Sequence, residues 1–246
     1  MAAQSGQLDF VVSNLTDLLW GVPNNRPGGL VMTLILSVIG IGVGMALAMF
    51  VSAARESRFA AVRFVATTYV RLVRGVPLIL VLLLVHRFVA VSLGAANAFG
   101  SQRASLLSAA VALILYSSSY QSDIITAGLR AVPRTLVEDA RLLGSSRLRT
   151  FTSIQIPFGL RVMRPALVSQ AITLFKDSSV VVVLGVADLT TTARIVLGAD
   201  VRNAPYWVAT YLTVGLLYFI VAFGLSQLVG RFSAEHRRMG LVTVIE

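Results

Sequence analysis

The sequence predicts an all-α integral membrane protein of about five transmembrane helices, and three observations predict it. Of its 246 residues, 56% are hydrophobic and only 13% are charged, with a mean hydropathy of +0.81. A soluble domain of this length carries roughly a quarter charged residues. Five mostly apolar stretches, at residues 30–51, 76–93, 104–129, 165–186 and 206–229, approach the ~20 residues a helix needs to cross a bilayer. The arginines gather in alternate connections between those stretches, which is how a membrane chain fixes its orientation.

Taken in order, the opening "MAAQSGQLDF" has no basic n-region and no immediate apolar core. The apolar stretches are therefore expected in the mature protein rather than in a cleaved leader. Residues 8–20, "LDFVVSNLTDLLW", are expected to form a short amphipathic helix on the outer surface, followed by the turn "GVPNNRPGG". Residues 1–29 then form an extracytoplasmic segment, and residues 30–246 a single membrane domain. In the first stretch, Gly40 and Gly44 supply a small-xxx-small pair suited to close helix contact. The amphipathic "RFVATTYVRLVRG" should lie along the inner face before Pro77 turns the chain into the second stretch. His86 and Arg87 fall in the outer part of that stretch, where they either sit at the interface or draw in acidic solutes. The third stretch is apolar in its first half and polar in its second, "SSSYQSD", and the fifth opens on an interfacial Tyr206-Trp207 pair.

Orientation follows from the charges. Arg55, Arg58, Arg63, Arg71 and Arg74 lie between the first two stretches, and Arg130, Arg134, Arg141, Arg147, Arg149, Arg161 and Arg164 between the third and fourth. Arg231, Arg237 and Arg238 follow the fifth, whereas the other side holds only Arg26, Arg103, Arg194 and Arg202. This places the N-terminus outside and the C-terminus inside. The net charge of +10 is thus a topology signal, and no basic face for nucleic acid is expected. There is no cysteine, and the two histidines are far apart, which argues against thiolate or histidine metal sites. No nucleophile–base constellation suggests a membrane enzyme.

The connection between the third and fourth stretches is too long for a simple link, and it reads as helix, turn, helix within residues 130–160. Pro133 suits a first helical turn. Leu136, Val137, Ala140 and Leu143 then share one helical face, and Gly144 stands where a left-handed cap belongs. Ser145 is placed to cap a second helix, in which Leu148, Phe151 and Ile154 form a stripe that Pro157 ends. Glu138, Asp139, Arg141, Arg147 and Arg149 make a polar edge. From the pattern alone this hairpin either lies on the membrane or docks a soluble partner.

"EDARLLGSSRLRTFTSIQIP" resembles the EAA signature of the membrane subunits of bacterial ATP-binding-cassette importers. Glu138, Ala140, Gly144, Ile154 and Pro157 fall on its register, with Asp139 in place of the middle alanine and Ile156 in place of a leucine. "TYVRLVRGVPLIL", "RAVPRTLVEDA" and "LFKDSSVVVVLGVADL" are similar to the polar amino acid permease branch and keep its order. The resemblance implies the type I importer fold in a bacterial inner membrane, with two permease subunits, identical or homologous, paired around a path. It further implies an ATPase dimer holding ATP and Mg, and an extracytoplasmic amino-acid-binding protein. Glu138, Asp139, Ala140, Arg141, Gly144, Leu148, Phe151, Ile154 and Pro157 would then meet the ATPase. This chain has no G-x-x-x-x-G-K-[ST] loop to hold ATP, since its single lysine, Lys176, follows Phe175.

Charges at membrane depth cost about 2.5–3.5 kcal/mol each on insertion scales, so they line a path or find partners. Lys176 and Asp177 are adjacent and point about 100° apart in a regular helix, so a partner elsewhere, a break in the helix or a wet cavity is expected. The resemblance places Lys176, Asp177, Ser178 and Ser179 near the path; alternatively, Lys176 snorkels or holds a neighbouring carboxylate. Tyr120 and Asp123 resemble an Ala-Tyr-x-x-Glu pattern, with Asp123 meeting either an α-ammonium group or an arginine of the cytoplasmic segment. The function expected is that of a permease for a polar amino acid such as glutamate, glutamine or aspartate. The alternatives are an ion-coupled secondary carrier, which would show inverted repeats and paired broken helices, and a scaffold that only recruits an ATPase.

Overall fold

The computed structural model describes residues 2–23 and 27–238, with side chains described for 6–23 and 27–227. Arg26 and the side chains of Arg231, Arg237 and Arg238, used above for orientation, lie outside these. Helix α1 (Ala2–Trp20) is followed by α2 (Gly29–Arg55), α3 (Ala60–Gly75) and α4 (Leu78–His86), which runs on as a π-helical stretch, Arg87–Ser92. Next come α5 (Ala95–Phe99), α6 (Ser101–Arg130), α7 (Arg134–Leu142), α8 (Arg147–Thr150), a π turn at Phe151–Gln155, and α9 (Ile156–Asp177). A 3-10 stretch (Ser178–Leu184), α10 (Leu189–Gly198), a second 3-10 stretch (Val201–Tyr206) and α11 (Trp207–Arg238) complete the described elements.

Among the described residues, three continuous helical segments can cross a membrane by length and apolarity: Gly29–Arg55, Arg147–Leu184 and Val201–Gln227. The bent pair Ala60–Gly75 and Leu78–Ser92 makes a fourth, with a 112° bend at the Val76-Pro77 break. Pro77 does turn the chain, because it lacks an N–H donor and restricts the residue before it. The third expected stretch lies within α6, whose 30 residues span about 45 Å but whose second half is too polar to pass on composition.

That polarity is hidden. α6 sits at the centre against α2, α3, α4 and α9, and Ser117, Ser118, Ser119, Gln121, Ser122 and Thr126 are all buried. Ser119 and Ser122 donate to backbone carbonyls one turn back, at 2.7 and 2.9 Å. Across the interface, Gln121 Nε2 donates to the Ile41 carbonyl (3.2 Å), and the Ser52 and Thr126 hydroxyls are 3.0 Å apart. Small residues on α2 allow this closeness. A Cβ built at Gly40 would lie 3.2 Å from Leu113 Cβ, and one at Gly44 would lie 3.1 Å from Ser117 Cβ. The glycine pair therefore packs against α6, and the apolar half of the same interface buries Leu36, Leu82, Leu113, Leu174 and Val181.

The end of the bundle opposite the arginine-rich connections is tied by a long-range knot that sequence reasoning did not anticipate. Gly29 N–H donates to the Ala187 carbonyl (2.9 Å), and Gly29 bridges in parallel to Asp188. Asp188 is fully buried and caps α10, accepting from Thr191 N–H (2.8 Å) and Thr190 N–H (3.2 Å). Burial pushes its carboxyl above the usual range, and those threonine bonds pull it back. Thr33 Oγ1 accepts from Leu189 N–H (3.0 Å) and donates to the Gly29 carbonyl (3.1 Å). Leu18 of α1, 1% exposed, packs here with Leu189, Ala193 and Val214, so α1 is docked on the bundle along its last turns.

Two expectations about residues 130–160 change. Ser146, not Ser145, caps the second helix, accepting from Arg149 N–H. Pro157 does not end that helix; it lies in the first turn of α9, and the chain stays helical from Arg147 to Leu184. The π turn at Phe151–Gln155 precedes the proline and locally changes the hydrogen-bond spacing, which lets the helix pass the residue that lacks a donor.

Candidate functional site

Two places on this scaffold gather the chemistry-bearing residues. The first is at the arginine-rich end of α6. Asp123 Oδ1 accepts from Arg55 Nη1 of α2 at 2.5 Å, and Asp123 Oδ2 pairs with Arg74 Nη1 of α3. The Arg74 guanidinium also lies over the Tyr120 ring, 4.9 Å from its centroid. The Tyr120 hydroxyl is 3.3 Å from that of Tyr116, and the two rings are tilted against each other at 4.9 Å. Tyr116 lies within electrostatic reach of both Arg74 and Asp177. One turn beyond the clamp, Arg130 Nη2 pairs with Glu56 Oε1 at 2.7 Å.

The structure therefore brings Tyr120 and Asp123 together and sets Tyr116 beside Tyr120, within electrostatic reach of Asp177. Of the two partners left open for Asp123, it shows arginines, from the connection between the first two stretches. Sequence reasoning had assigned neither Arg55 nor Arg74 to the site, and it had not picked out Tyr116. A signal was present: Arg74 directly precedes the Gly75-Val76-Pro77 break, and Arg55 closes a long apolar helix.

The residues around Lys176 separate. Regular α-helix ends at Asp177 and tightens into the 3-10 stretch. Lys176 is exposed in a groove between α9 and α11, beside Ile172, Gly215, Tyr218 and Phe219. It has no ion-pair partner among the described residues. Asp177 is half-buried. Ser178 is fully buried, donating to the Phe175 carbonyl (2.7 Å) and accepting from Ser37 of α2 (3.3 Å), while Ser179 is partly exposed.

The second place is the hairpin. α7 ends in a glycine-capped turn: Gly144 N–H donates to the Arg141 carbonyl (3.0 Å) and Ser145 N–H to the Ala140 carbonyl (2.9 Å), with Gly144 at φ +82°. The expected apolar face of α7 is not covered as a unit. Ala140 is buried, whereas Leu136 is exposed and Leu143 is 88% exposed. Leu142 and Leu148 are also bare, and Phe151 is 40% exposed, so the tip presents leucines among Glu138, Asp139, Arg141, Arg147 and Arg149. Ile154 is partly buried beneath the tip, and Pro157 is exposed.

A family model described as "Binding-protein-dependent transport system inner membrane component" matches residues 40–234. The chain belongs to this family. It is similar to the glutamate/aspartate import permease protein GltK of Escherichia coli O6:H1, at 33% identity over 82% of this chain and 88% of that protein. It is also similar to the inner membrane amino-acid ABC transporter permease protein YhdY of Escherichia coli K12, at 32% identity, spanning 84% of this chain but 55% of YhdY's length. Among solved structures, one described as an amino acid ABC transporter with histidines matches with a TM-score of 0.73 and 29% identity, over 84% of this chain and 92% of that one. An inward-facing MetNI methionine transporter shares the fold, with a TM-score of 0.60 and 17% identity over 92% of this chain and 98% of that one. This protein is thus a multi-pass inner-membrane permease subunit of an importer, non-catalytic itself, whose ATPase is a separate chain. Among the described residues, no group of three or more His, Cys, Asp or Glu side chains is arranged to hold a metal.

Proposed function

We propose that this chain forms one half of the translocation path of an importer for polar amino acids of the glutamate, glutamine and aspartate class. The observation that carries the reading is the column of Arg74, Tyr120, Tyr116 and Asp177, which offers a guanidinium and a carboxylate to the two ends of a zwitterion. The 33% identity to a glutamate/aspartate import permease supports the same cargo class. Lys176, Ser178 and Ser179 belong to the segment in which the path changes helix type.

The hairpin at 130–160 is the coupling element. Glu138, Asp139, Ala140, Arg141, Gly144, Leu148, Phe151, Ile154 and Pro157 seat it in an ATP-binding-cassette ATPase dimer, which holds ATP and Mg. Bare leucines at a charged tip fit a cleft better than they fit water. An exposed apolar residue gains about 25 cal/mol per Å2 when covered. The chain lies with its N-terminus outside and its C-terminus inside, beside a second permease subunit, homologous or identical. An extracytoplasmic amino-acid-binding protein delivers the cargo.

Reconstitution tests this reading. Vesicles holding this chain, its co-purifying permease and its ATPase should accumulate labelled glutamate, glutamine or aspartate only when ATP and binding protein are supplied. Uptake driven by an ion gradient in the absence of the ATPase would instead establish a carrier.

A further inference from the structure

Asp123 is held by two cations that are mounted differently. Arg55 is 17% exposed and leaves the last turn of α2, which is fastened to α6 one turn away by the Ser52–Thr126 hydrogen bond. The Arg55–Asp123 pair therefore moves as part of the α2–α6 core. Arg74 is 43% exposed and leaves the last turn of α3, a helix that buries Ala66 and Val70. Further back, α3 is tied to α6 through Tyr69, whose hydroxyl donates to the Leu115 carbonyl (2.8 Å) and lies 2.6 Å from that of Ser118. Gly75 ends α3, and Val76-Pro77 is the break at which the chain bends by 112°. A change of rotamer at this exposed Arg74 side chain takes it off Asp123 and leaves Arg55 and the Tyr69 bonds in place. Removing one partner of a buried pair is costly because the other charge is stranded. Here the acid keeps a partner, so release is inexpensive.

We propose that Arg74 is a latch residue that exchanges carboxylates: it holds Asp123 in the conformation seen here and the cargo's carboxylate during passage. This rests on the amino acid importer reading. The guanidinium already lies at the inner head of the Tyr120–Tyr116 column, so an anionic group moving inward along that column reaches Arg74 last, beside Asp123. A guanidinium fork engages a carboxylate through paired donors, so cargo and Asp123 compete for the same face. Arrival of cargo then unties the inner end of α3 from Asp123, and binding energy is coupled to a change of conformation. Asp123 acts through Arg74 and is not itself a ligand of the α-ammonium group.

The test uses the full transporter of this chain, its permease partner and its ATPase. ATP hydrolysis is measured in lipid nanodiscs with and without binding protein and glutamate, and KM for glutamate uptake is measured in proteoliposomes. Asp123→Asn should raise hydrolysis without cargo at least threefold and leave KM no higher than wild type. Arg74→Gln, which keeps the Arg55–Asp123 pair and so protects folding, should raise cargo-free hydrolysis similarly and increase KM tenfold or more. If Asp123→Asn instead raised KM tenfold while hydrolysis stayed low, Asp123 would be a direct cargo ligand and the latch would be wrong. Cargo-free hydrolysis unchanged in both variants would also overturn it. If no amino acid of this class stimulated the wild-type transporter, the cargo assignment would fail, and the exchange with it.

Discussion

Gly29 and Gly144 adopt the same left-handed backbone, at φ +56° and +82°, in opposite surroundings. A Cβ at Gly29 would stand 2.2 Å from the Leu18 carbonyl oxygen, whereas one at Gly144 would meet nothing within 4 Å. The first glycine lies in a knot of backbone bonds joining α1, α2 and the start of α10. The second turns an exposed hairpin whose leucines have no cover. One conformation thus serves two purposes: at Gly29 it permits close backbone contact, and at Gly144 it sets the shape of a tip presented to another chain. Variants that perturb stability and transport separately can break this contrast.

The largest effect on the fold should come from Gly29→Ala. Left-handed backbone costs an ordinary residue about 1–2 kcal/mol, and crowding in a packed site adds about 1–3 kcal/mol. The apparent melting temperature in detergent should fall by many degrees, together with the yield of inserted protein; an unchanged melting curve would show that the knot is not structural. Asp188→Ala should come next. It removes a helix cap worth roughly 0.5–2 kcal/mol, and it should also lower melting, less than Gly29→Ala does. Asp188→Asn, which keeps an acceptor oxygen, should be milder.

Gly144→Asp should reverse the order of the two readouts. Strain of about 1–2 kcal/mol is confined to one exposed turn, so melting should shift little while ATP-driven uptake falls below a tenth of wild type. Uptake at wild-type level would remove the hairpin from coupling. Smallest for stability is Leu143→Ser. The side chain is 88% exposed, and surface changes usually stay within ±0.5 kcal/mol. Its expected effect is weaker co-purification of the ATPase, and undiminished co-purification would place the contact elsewhere on the tip.

The legible parts of the site were those with local causes. The Gly144 turn follows from a glycine at the end of a nine-residue helix, and the bend before α4 from a single proline. The need of Asp123 for a partner was also clear, since an acid in an apolar chain must find one. Which partner was not clear. Arg55 and Arg74 reach it only because α2 packs along α6 and α3 folds back across it, and many arginines were equally eligible by sequence. Pro157 misled for a related reason: a proline ends most helices, but this one lies in the first turn of α9 behind a π turn, and the chain stays helical to Leu184.

The sequence by itself determined that the chain lives in lipid, where its apolar stretches lie, and that a glycine-capped hairpin interrupts them. These follow from composition, period and local backbone preference, each set within a few turns of chain. Only the tertiary structure decided that polar α6 sits at the centre, that Asp123 is shared by two arginines, and that Gly29 meets Asp188 across more than half the chain. Such pairings depend on how distant helices pack, because a buried hydrogen bond or ion pair is fixed by the path of the backbone and not by either residue alone.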